Sequence, residues 1–517
     1  MIRRPRSRRS QLTGIACGLA SILTLACFRL AEKASPELGP ARGYLLLVLG
    51  GARADALSLY GNDAATPFLA SLAKEALVFD WAIAASPQPL PAQTSLMTSL
   101  YASEHGVQLP EHELSRAVGT FTEHLSAHGF HTAGHTAGGF LTPRFAFHRG
   151  FDVFTVEDSA PRARAVLERG LHSLDELRRR DRFFLFLHLG PVLTTSDPDA
   201  QSPHRSRYAD AARALDRELE RFFVALDKTK VRREMTILIV GDRGHSLGEN
   251  RPSEWPTTYL ENVRVPFIIL SPDGRHAGRS SRLAETVDVG PTLVHLAGLP
   301  PLPSASGENV VDLGRGAADD GSWAYAEASG WARQESVLFS RAGRLQQLVQ
   351  TTYREEPDGT WVSGRASFDA ADQEMSLDVV AFHRPREIAV AVNGDERQPL
   401  LATTRWKTFR LGLDPQRSRT RVSLATASCD SPRALGLSKD PRCLSFKVRG
   451  VDLTRNELFD LTEDPLGTVD RYADANGSRE LLTELLLRYR LRVIAQPLWR
   501  RLDPDTEAGL AALGYLP

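Results

Sequence analysis

The sequence lacks an excess of charge of either sign: 63 Lys and Arg residues balance 63 Asp and Glu residues in a chain of 517. A protein without net charge has no overall field that would attract nucleic acid or an anionic membrane surface. The sequence therefore predicts no nucleic-acid partner, and any binding of anions must come from a local site. It also lacks internal repeats and long low-complexity segments. Its length predicts about two to four domains, and an apolar fraction of 42% is that of an ordinary folded protein.

Cysteine is scarce as well, with four residues in the whole chain. Cys17 and Cys27 lie near the N-terminus, in a segment that reads as a leader, so Cys429 and Cys443 remain in the mature chain. Two cysteines close together in an exported protein predict one local disulfide bond. Two free thiols are the alternative.

The N-terminus combines a basic start with an apolar run. Five arginines and no acidic residue occur in the first nine residues, and residues 12–30 are mostly apolar. This order is typical of a secretory signal or an N-terminal anchor. Residues 24–27 resemble a lipoprotein box with Cys27 as the lipidated residue, residues 7–10 resemble a twin-arginine export motif, and an uncleaved signal anchor is a third interpretation. We therefore expect an exported protein, periplasmic or anchored in the cell envelope, whose leader is its contact with the membrane.

Short apolar runs followed by turn residues predict strands that are buried on both faces. Four such runs lie at 44–49, 183–187, 236–240 and 266–270. Helical patterns lie between them. One helix is predicted to start with Thr66 as N-cap and Pro67 in its first turn, and residues 209–227 are amphipathic at helical spacing. Buried strands alternating with helices predict an α/β fold, with a mainly parallel sheet covered by helices.

The pattern changes after about residue 354, where polar and apolar residues begin to alternate. Residues 387–392 alternate in this way and are followed by the turn pair Asn393-Gly394. Similar short runs lie at 407–411, 421–424 and 443–448. Half-buried strands separated by turns predict a β-sandwich. Trp361 and Trp406 lie within it and predict a sugar-binding face if they are exposed, with core tryptophans as the alternative.

Several short motifs occur in a fixed order along the chain. Residues 49–55 read LGGARAD, residues 95–107 read SLMTSLYASEHGV and residues 241–244 read GDRG. Further motifs lie at 140–145, 150–152, 264–266, 288–293, 457–465 and 513–516. In order and spacing the set resembles the sulfatase family of the alkaline-phosphatase-like superfamily, whose matching motifs include I-D-T-x-R-A-D, A-S-L-L-T-G-x-Y-P-S-x-H-G-V and S-D-H-G.

The resemblance implies a sulfatase fold interrupted by the sandwich. The matches run from about residue 44 to 307 and resume at 457. A helix is predicted over 479–493. The predicted domains are a leader (1–30), a linker (31–43), a sulfatase-like α/β core (44–353), an inserted β-sandwich (354–450) and a C-terminal part of the sulfatase-like fold (451–517).

The resemblance also implies a site built around a divalent cation. In the family a cation, usually calcium, holds the sulfate oxygens, and such a hard cation needs several converging carboxylates. Here Gly50 and Gly51 stand where the first-strand carboxylates would be. Asp242 is the one retained ligand of the matched set, and Arg243 follows it where the family has His. The match predicts no bound cofactor, and Ca²⁺ only if the protein is active.

The nucleophile position is altered in the same way. The family attacks sulfur with a formylglycine made from Cys or Ser in C/S-x-P-x-R, and the match places Pro89 at that position. Gln93 then replaces the arginine of the motif, which is a bidentate anion donor. In the segment that matches H-x-x-D-P-H, His188 is kept and Leu193 replaces the second His.

Other polar residues near these positions have two interpretations each. Arg243 would fill the metal position and pair with Asp242, either to compensate a buried carboxylate or to bind an anion together with His245. A rebuilt site would need a nucleophile such as Ser86 or Thr94, whereas capping is the common role of Thr94 and its neighbour Ser95 at a helix start. We expect His105 to be structural.

The sequence as a whole predicts a pseudo-sulfatase, a sulfatase-family protein of the cell envelope that is catalytically inactive and has a binding or organising role. One alternative is an active metal-dependent hydrolase of sulfuric or phosphoric esters with a rebuilt site. The other is a carbohydrate-binding adaptor that works through the sandwich. A sulfated or other anionic glycan is the expected ligand class.

Overall fold

The computed structural model describes most of the chain after residue 40. The described residues are 41–61, 66–157, 162–192, 204–247, 257–274, 276–311, 322–329, 332–341, 344–353, 358–362, 365–370, 374–393, 395–413, 420–430, 432, 435–437, 444–449, 451, 454–464, 470–471, 486, 498–499 and 502–512. The predicted leader with Cys27, and also Leu193 and Cys443, lie outside these ranges.

The strands and helices, numbered along the chain, have the following bounds. The strands are β1 (Gly43–Gly50), β2 (Leu77–Ile83), β3 (His112–Glu113), β4 (His131–Thr136), β5 (Val153–Val156), β6 (Phe183–Pro191), β7 (Met235–Gly241), β8 (Arg264–Val265), β9 (Phe267–Leu270), β10 (Gly278–Glu285), β11 (Ser322–Ala328), β12 (Ala332–Arg341), β13 (Arg344–Tyr353), β14 (Thr360–Val362), β15 (Arg365–Ala370), β16 (Glu374–Ala381), β17 (Arg386–Val392), β18 (Asp395–Ala402), β19 (Lys407–Gly412), β20 (Thr420–Ala425), β21 (Phe446–Arg449), β22 (Thr454–Asp460) and β23 (Leu498–Trp499). The helices are α1 (Pro67–Leu72), α2 (Pro89–Thr98), α3 (Ala102–His105), α4 (Phe121–Ala127), α5 (Arg162–Leu177), α6 (His204–Lys228), α7 (Leu260–Val263), α8 (Val289–Leu296) and α9 (Pro504–Ala512).

The central sheet runs in the order β10-β2-β9-β7-β1-β6-β4-β5, with β8 paired to β2. Strand β1 is parallel to both neighbours, β6 and β7, and β4 continues the parallel arrangement from β6 to β5. Only β8 and β9 run against it, in their pairings with β2 and β7. The predicted α/β fold with a mainly parallel sheet is therefore confirmed.

Apolar side chains on both faces of this sheet explain why its strands read as continuous hydrophobic runs. Every residue of β1 is buried. Tyr44, Leu46 and Val48 pack into one layer with residues of α2, α4 and α8, whereas Leu45 and Leu47 pack into the other layer with residues of α1, α5 and α6. A sheet covered by helices on both faces needs this pattern, because neither face meets water.

Helix α1 begins where the sequence predicts, after Thr66 and with Pro67 in its first turn. The capping bonds, however, come from elsewhere. The carboxylate of Asp216, on α6, accepts from the backbone N–H groups of Phe68 and Leu69 at 3.0 and 2.9 Å. Thr66 Oγ1 instead accepts from the N–H of Ser58 at 2.9 Å. The helix position was predictable from local residues, and its cap was not.

The C-terminal region adds antiparallel sheets, as predicted. An eight-stranded sheet runs β11-β12-β13-β22-β15-β20-β17-β18, and a four-stranded sheet runs β14-β21-β16-β19. Strands β13 and β22 are neighbours although the strands β14 to β21 lie between them in the sequence. One residue pair, Ser367 with Thr454, joins β15 to β22. The two sheets share a core of buried aliphatic and aromatic side chains.

Further sequence predictions concern single residues and segments of the C-terminal region. Strands β17 and β18 form a hairpin around Asn393, whose φ of 53° is the left-handed conformation of a tight turn. Cys429 is disulfide-bonded. Its predicted partner Cys443 and most of the predicted helix 479–493 lie outside the described residues. In the part of the chain that the structure describes, no helix combines the length and hydrophobicity that a membrane crossing requires.

Candidate functional site

The carboxyl ends of three parallel strands bring the matched site residues together. Gly50 ends β1, His188 lies near the end of β6, and Asp242 follows β7 directly. Because β1 pairs in register with both neighbours, these positions meet at one edge of the sheet, where α/β folds place their ligand sites. Gln93 reaches the same point from α2.

Asp242 is fully buried, and three donors hold it. Its Oδ1 accepts from the backbone N–H of Gly51 at 2.9 Å. Its Oδ2 accepts from Gln93 Nε2 at 3.0 Å and lies 3.4 Å from His188 Nε2. His188 Nδ1 accepts from the N–H of Gly190 at 3.3 Å, which leaves the ring proton on Nε2, facing Asp242.

Opposing effects act on the charge of Asp242. Burial raises the pKa of Asp242, but the hydrogen bond from His188 and the positive charge of Arg243 outweigh it, so the pKa lies below its usual range. The carboxylate is therefore ionised at neutral pH, and its donors compensate the loss of water.

Gly50 has no room for a side chain. A Cβ built on it would lie 2.5 Å from the carbonyl oxygen of Gly190 and 2.6 Å from the carbonyl carbon. Both contacts are with backbone, which cannot turn aside as a flexible side chain can. The position that matches a first-strand carboxylate in the family is thus closed by the end of β6.

Gly51 is open but conformationally restricted. Its φ of +64° is left-handed, a conformation that favours glycine. A Cβ there would lie 3.6 Å from Arg243 Nη1. Any side chain at this position would point toward a guanidinium rather than toward space for a cation.

Arg243 is buried beside this point, but it does not pair with Asp242 as the sequence predicts. Its Nη1 donates to the carbonyl oxygen of Gly244 at 3.1 Å. The three donors already named occupy the two oxygens of Asp242, so Arg243 acts on that carboxylate through its charge and without a direct contact.

Pro89 begins helix α2 and is half-buried. Proline suits a first helical position because its missing N–H would have no partner there. Gln93 lies one turn later, on the same side of the helix. Its Nε2 binds Asp242, and its Oε1 is buried without a hydrogen-bond partner among the described residues.

The hydroxyl groups near Pro89 have structural partners. Thr94 Oγ1 donates to the carbonyl oxygen of Leu90 at 2.8 Å, Ser95 Oγ lies 3.0 Å from His105 Nε2, and Ser86 Oγ accepts from the N–H of Gln88 at 3.3 Å. The prediction that Thr94 and Ser95 cap the helix is wrong, because α2 begins at Pro89 and both residues lie in its interior.

His105 fits the structural role expected for it. Its Nδ1 accepts from the N–H of Val107 at 3.1 Å. Burial lowers its pKa to about 3, so the ring is neutral at physiological pH and serves as a fixed hydrogen-bonding group between α2 and the turn after α3.

The contacts that Tyr208 makes with the backbone around Gly51 were not predicted. Tyr208, on α6, donates its hydroxyl to the carbonyl oxygen of Gly51 at 2.8 Å and accepts from the N–H of Arg53 at 2.8 Å. Its ring stacks on His245 at 6.3 Å and 15°. Arg53 forms a two-point ion pair with Asp55, at 2.9 and 2.7 Å. No local pattern around Tyr208 signals this role, because α6 is far along the chain.

The arrangement does not fit a calcium site. One matched carboxylate is present, its oxygens already accept hydrogen bonds, and a buried guanidinium lies nearby. Over the ranges that the structure describes, no three or more His, Cys, Asp or Glu side chains are grouped so that they could hold a metal ion. A hard cation needs more oxygen ligands than Asp242 supplies. The geometry instead suits an Asp242 carboxylate that is buried and held by hydrogen bonds.

Comparison with known proteins places this site in a family. Residues 42–299 match the sequence model named Sulfatase. An arylsulfatase from Chlamydomonas reinhardtii is 30% identical over 173 residues, which cover 31% of this chain and 26% of that protein. The chain thus spans about a quarter of the length of this relative.

Solved structures agree on the fold. The protein yidJ from Bacteroides fragilis superimposes with a TM-score of 0.56 and 14% identity, covering 89% of this chain and 98% of that chain. Phosphonate monoester hydrolase of Agrobacterium radiobacter superimposes with a TM-score of 0.54 and 13% identity, covering 89% and 100%. At these identities the likeness shows a common fold alone.

Proposed function

Residues 42–299 of the chain belong to the sulfatase family, and from that premise we propose that the protein does not hydrolyse sulfate esters and instead has a binding or organising role in the cell envelope. Fold and function separate easily in such a case, because activity depends on a few side chains in a scaffold that many functions share.

Gly50 carries this proposal. The family's chemistry needs carboxylates that converge on a doubly charged cation. At Gly50 the first atom of any side chain would lie 2.5 Å from the backbone oxygen of Gly190. The loss at this position is therefore more than a missing functional group, since the space that the group would enter is filled by main chain.

The contacts of Asp242 support the same conclusion. A metal ligand must offer its oxygens to the ion, whereas both oxygens of Asp242 accept hydrogen bonds from Gly51, Gln93 and His188. The charge of Arg243 already lowers the pKa of this carboxylate. A second, double positive charge beside that guanidinium would be repelled.

The nucleophile position argues in the same direction. Pro89 has no nucleophilic atom, and the hydroxyl of Thr94 is bound to its own helix at Leu90. The other candidate hydroxyl, that of Ser86, lies three residues before the start of α2 at Pro89. It accepts a hydrogen bond from the backbone N–H of Gln88. A rebuilt active site would have to break such contacts before it could attack an ester.

Metal analysis combined with activity assays tests the proposal. The purified full chain is dialysed against calcium, manganese or zinc, its bound metal is measured, and turnover of an aryl sulfate, an aryl phosphate and a phosphonate ester is assayed beside Asp242→Ala. We expect no bound ion at one per chain, and no turnover in the wild-type protein beyond that of Asp242→Ala. One tightly bound divalent ion per chain would overturn the argument against a metal site, and turnover that disappears in Asp242→Ala would establish an active hydrolase.

A further inference from the structure

The four-stranded sheet has an outer face that carries aromatic and charged side chains. Its residues are far in sequence from those of the cleft. Side chains alternate between the two faces of a strand. Val362, Leu377, Val379, Phe446 and Val448 belong to the core shared with the eight-stranded sheet. Trp361, Asp378, Lys447 and Arg449 alternate with them and therefore lie on the other face.

Trp361 and Lys447 form the first aromatic–cation pair of this face. They are directly opposite each other in the ladder between β14 and β21. Lys447 Nζ lies 5.2 Å from the centre of the Trp361 ring, and Lys447 also forms an ion pair with Asp358. Phe382 packs edge-on against Trp361 at 5.7 Å. Trp361 is half-buried, so part of the indole remains in contact with solvent.

Trp406 and Arg449 form the second pair. The guanidinium carbon of Arg449 lies 3.7 Å from the centre of the Trp406 ring, and its Nε donates to the backbone oxygen of Asp358 at 2.8 Å. Trp406 is half-buried and Arg449 is exposed. The stack and the Nε bond fix the plane of the guanidinium, which leaves its two terminal nitrogens oriented for a planar, two-point anion.

The carboxylate nearest in the ladder does not neutralise this arginine. Asp378 lies opposite Arg449, yet Asp378 Oδ1 accepts from Thr408 Oγ1 at 2.6 Å, and Arg449 turns to Trp406 instead. Within the described ranges Arg449 therefore keeps its charge available although an acidic residue stands beside it.

More positive charge surrounds Trp406. Arg410 lies on the same face, two residues after Thr408, and is exposed. Arg405 and Lys407 flank Trp406 in the sequence and are exposed as well. Among the described residues none of these three cations has a carboxylate partner. The edge at β19 is thus a local positive strip in a chain that has no net charge.

We propose that this face binds an anionic polysaccharide, with the two half-buried indoles against sugar rings and with Arg449 and Arg410 bound to carboxylate or sulfate groups between them. Strands β14 and β19 are three interstrand spacings apart, about 14 Å, so an extended chain of several sugars would reach both tryptophans. Aromatic platforms with cations also bind single-stranded nucleic acid, chiefly by stacking bases on the aromatic faces. Here a cation covers one face of each indole and Lys447 is itself buried, so the surface favours a ligand that is held mainly by the exposed Arg449 and Arg410.

The surface shares no residue with the cleft around Asp242, so this inference does not require the cleft to be inactive. The test uses the purified full chain with heparin, polygalacturonate, neutral dextran and a single-stranded oligonucleotide as probes, titrated calorimetrically at low and at moderate salt. The variants are Arg449→Gln, Arg410→Gln and Trp406→Ala, with Trp406→Phe as the conservative form. Arg233→Gln on the α/β core is the matched control, because Arg233 is also exposed and unpaired among the described residues.

We expect binding to at least one of the two acidic polysaccharides and none to dextran. Each of Arg449→Gln and Arg410→Gln should weaken it by about tenfold, the effect of losing a charged hydrogen bond, while Arg233→Gln leaves it unchanged. Trp406→Phe should retain more affinity than Trp406→Ala, which separates a contact with the ring from a loss of fold. The proposal is wrong if neither polyanion binds, if Arg233→Gln weakens binding equally, or if the oligonucleotide binds more tightly.

Discussion

The side-chain amide of Gln93 donates to the carboxylate of Asp242, with 3.0 Å between Nε2 and Oδ2. Gln93 stands where the sulfatase motif has arginine, and Asp242 is the carboxylate retained from the matched metal set. The two positions that would act on a sulfate group and a cation are here bound to each other. The neutral amide satisfies one acceptor of the buried carboxylate, and the positive charge that favours its ionised form comes from Arg243.

Replacing Gln93 tests whether this contact is structural. Gln93→Met keeps the length of the side chain and removes the donor, so a buried charged acceptor loses one hydrogen bond. We expect the free energy of unfolding to fall by about 1–3 kcal/mol, measured by urea denaturation. Gln398→Met, on the exposed strand β18, should change it by less than about 0.5 kcal/mol. Equal stabilities of the two variants would mean that Asp242 does not depend on Gln93.

The two glycines at the end of β1 should respond differently to an added methyl group. Gly50→Ala forces a Cβ to within 2.5 Å of backbone, and we expect a loss of about 2 kcal/mol or more from the resulting shift. Gly51→Ala has space but must hold φ at +64°, which costs about 1–2 kcal/mol. The control is Gly119→Ala, where a Cβ meets nothing within 4 Å.

The three variants are compared by their midpoints of chemical unfolding. The slope of the unfolding free energy against denaturant concentration is measured as well, because a changed slope would indicate a changed denatured state. If Gly50→Ala is as stable as Gly119→Ala, the main chain at Gly190 can move, position 50 can accept a side chain, and the main argument against a metal site is lost.

Much of the fold was predictable because its strands are buried on both faces. The runs at 44–49, 183–187, 236–240 and 266–270 are apolar apart from Thr236, since helices cover the sheet on each side. The pairing of β13 with β22 was harder to predict. These strands lie about a hundred residues apart, on either side of the predicted insertion, and no local pattern indicates that they become neighbours.

The candidate site was predicted in its positions but not in its contacts. The positions Gly50, Gly51 and Asp242 came from the resemblance to the sulfatase motifs, and they meet because parallel strands end at one edge of the sheet. That Gln93 and His188 donate to Asp242, while Arg243 does not touch it, depends on side-chain directions that the sequence does not contain. Tyr208 was missed for the same reason, because an amphipathic helix gives no sign of which buried tyrosine contacts the site.

Asp216 provides a further test of long-range capping. It supplies both hydrogen bonds to the start of α1, at Phe68 and Leu69, so Asp216→Ala should destabilise the protein by about 1–2 kcal/mol. Asp210→Ala, at an exposed position of the same helix, should have a much smaller effect. Amide hydrogen exchange gives a local readout, because faster exchange confined to α1 would identify the lost cap. Unchanged exchange there would contradict it.

Stability should depend on pH through a buried pair of acids, Glu285 and Asp288. Burial raises the pKa of Asp288 to about 7, and burial together with the charge of Asp288 raises the pKa of Glu285 well above its usual range. Glu285 accepts hydrogen bonds from Tyr101 and from the N–H of Tyr325. The folded protein thus keeps protons that the unfolded chain has lost above about pH 4.

The sign follows from that difference. Where the folded state binds more protons, the free energy of unfolding decreases as the pH rises, so this pair should stabilise the fold fully below about pH 4 and lose its contribution as the pH rises through about 7. Urea unfolding across this range checks it. Asp288→Asn should flatten the slope relative to the exposed control Asp395→Asn. A slope that is the same in both variants would assign the pH dependence to other groups.

Cys27 allows a direct test of how the protein reaches the envelope. If residues 24–27 act as a lipoprotein box, the leader is removed before Cys27 and a lipid is attached to that residue. A single acyl chain gives only marginal membrane binding, so a lipoprotein needs more than one chain for stable anchoring. Expression with labelled palmitate in a bacterium should label the wild-type protein and Cys17→Ser, but not Cys27→Ser. Loss of label together with loss from the membrane fraction would support lipidation. A Cys27→Ser protein that stays in the membrane at its full, uncleaved mass would instead identify the basic start and apolar run as an uncleaved anchor.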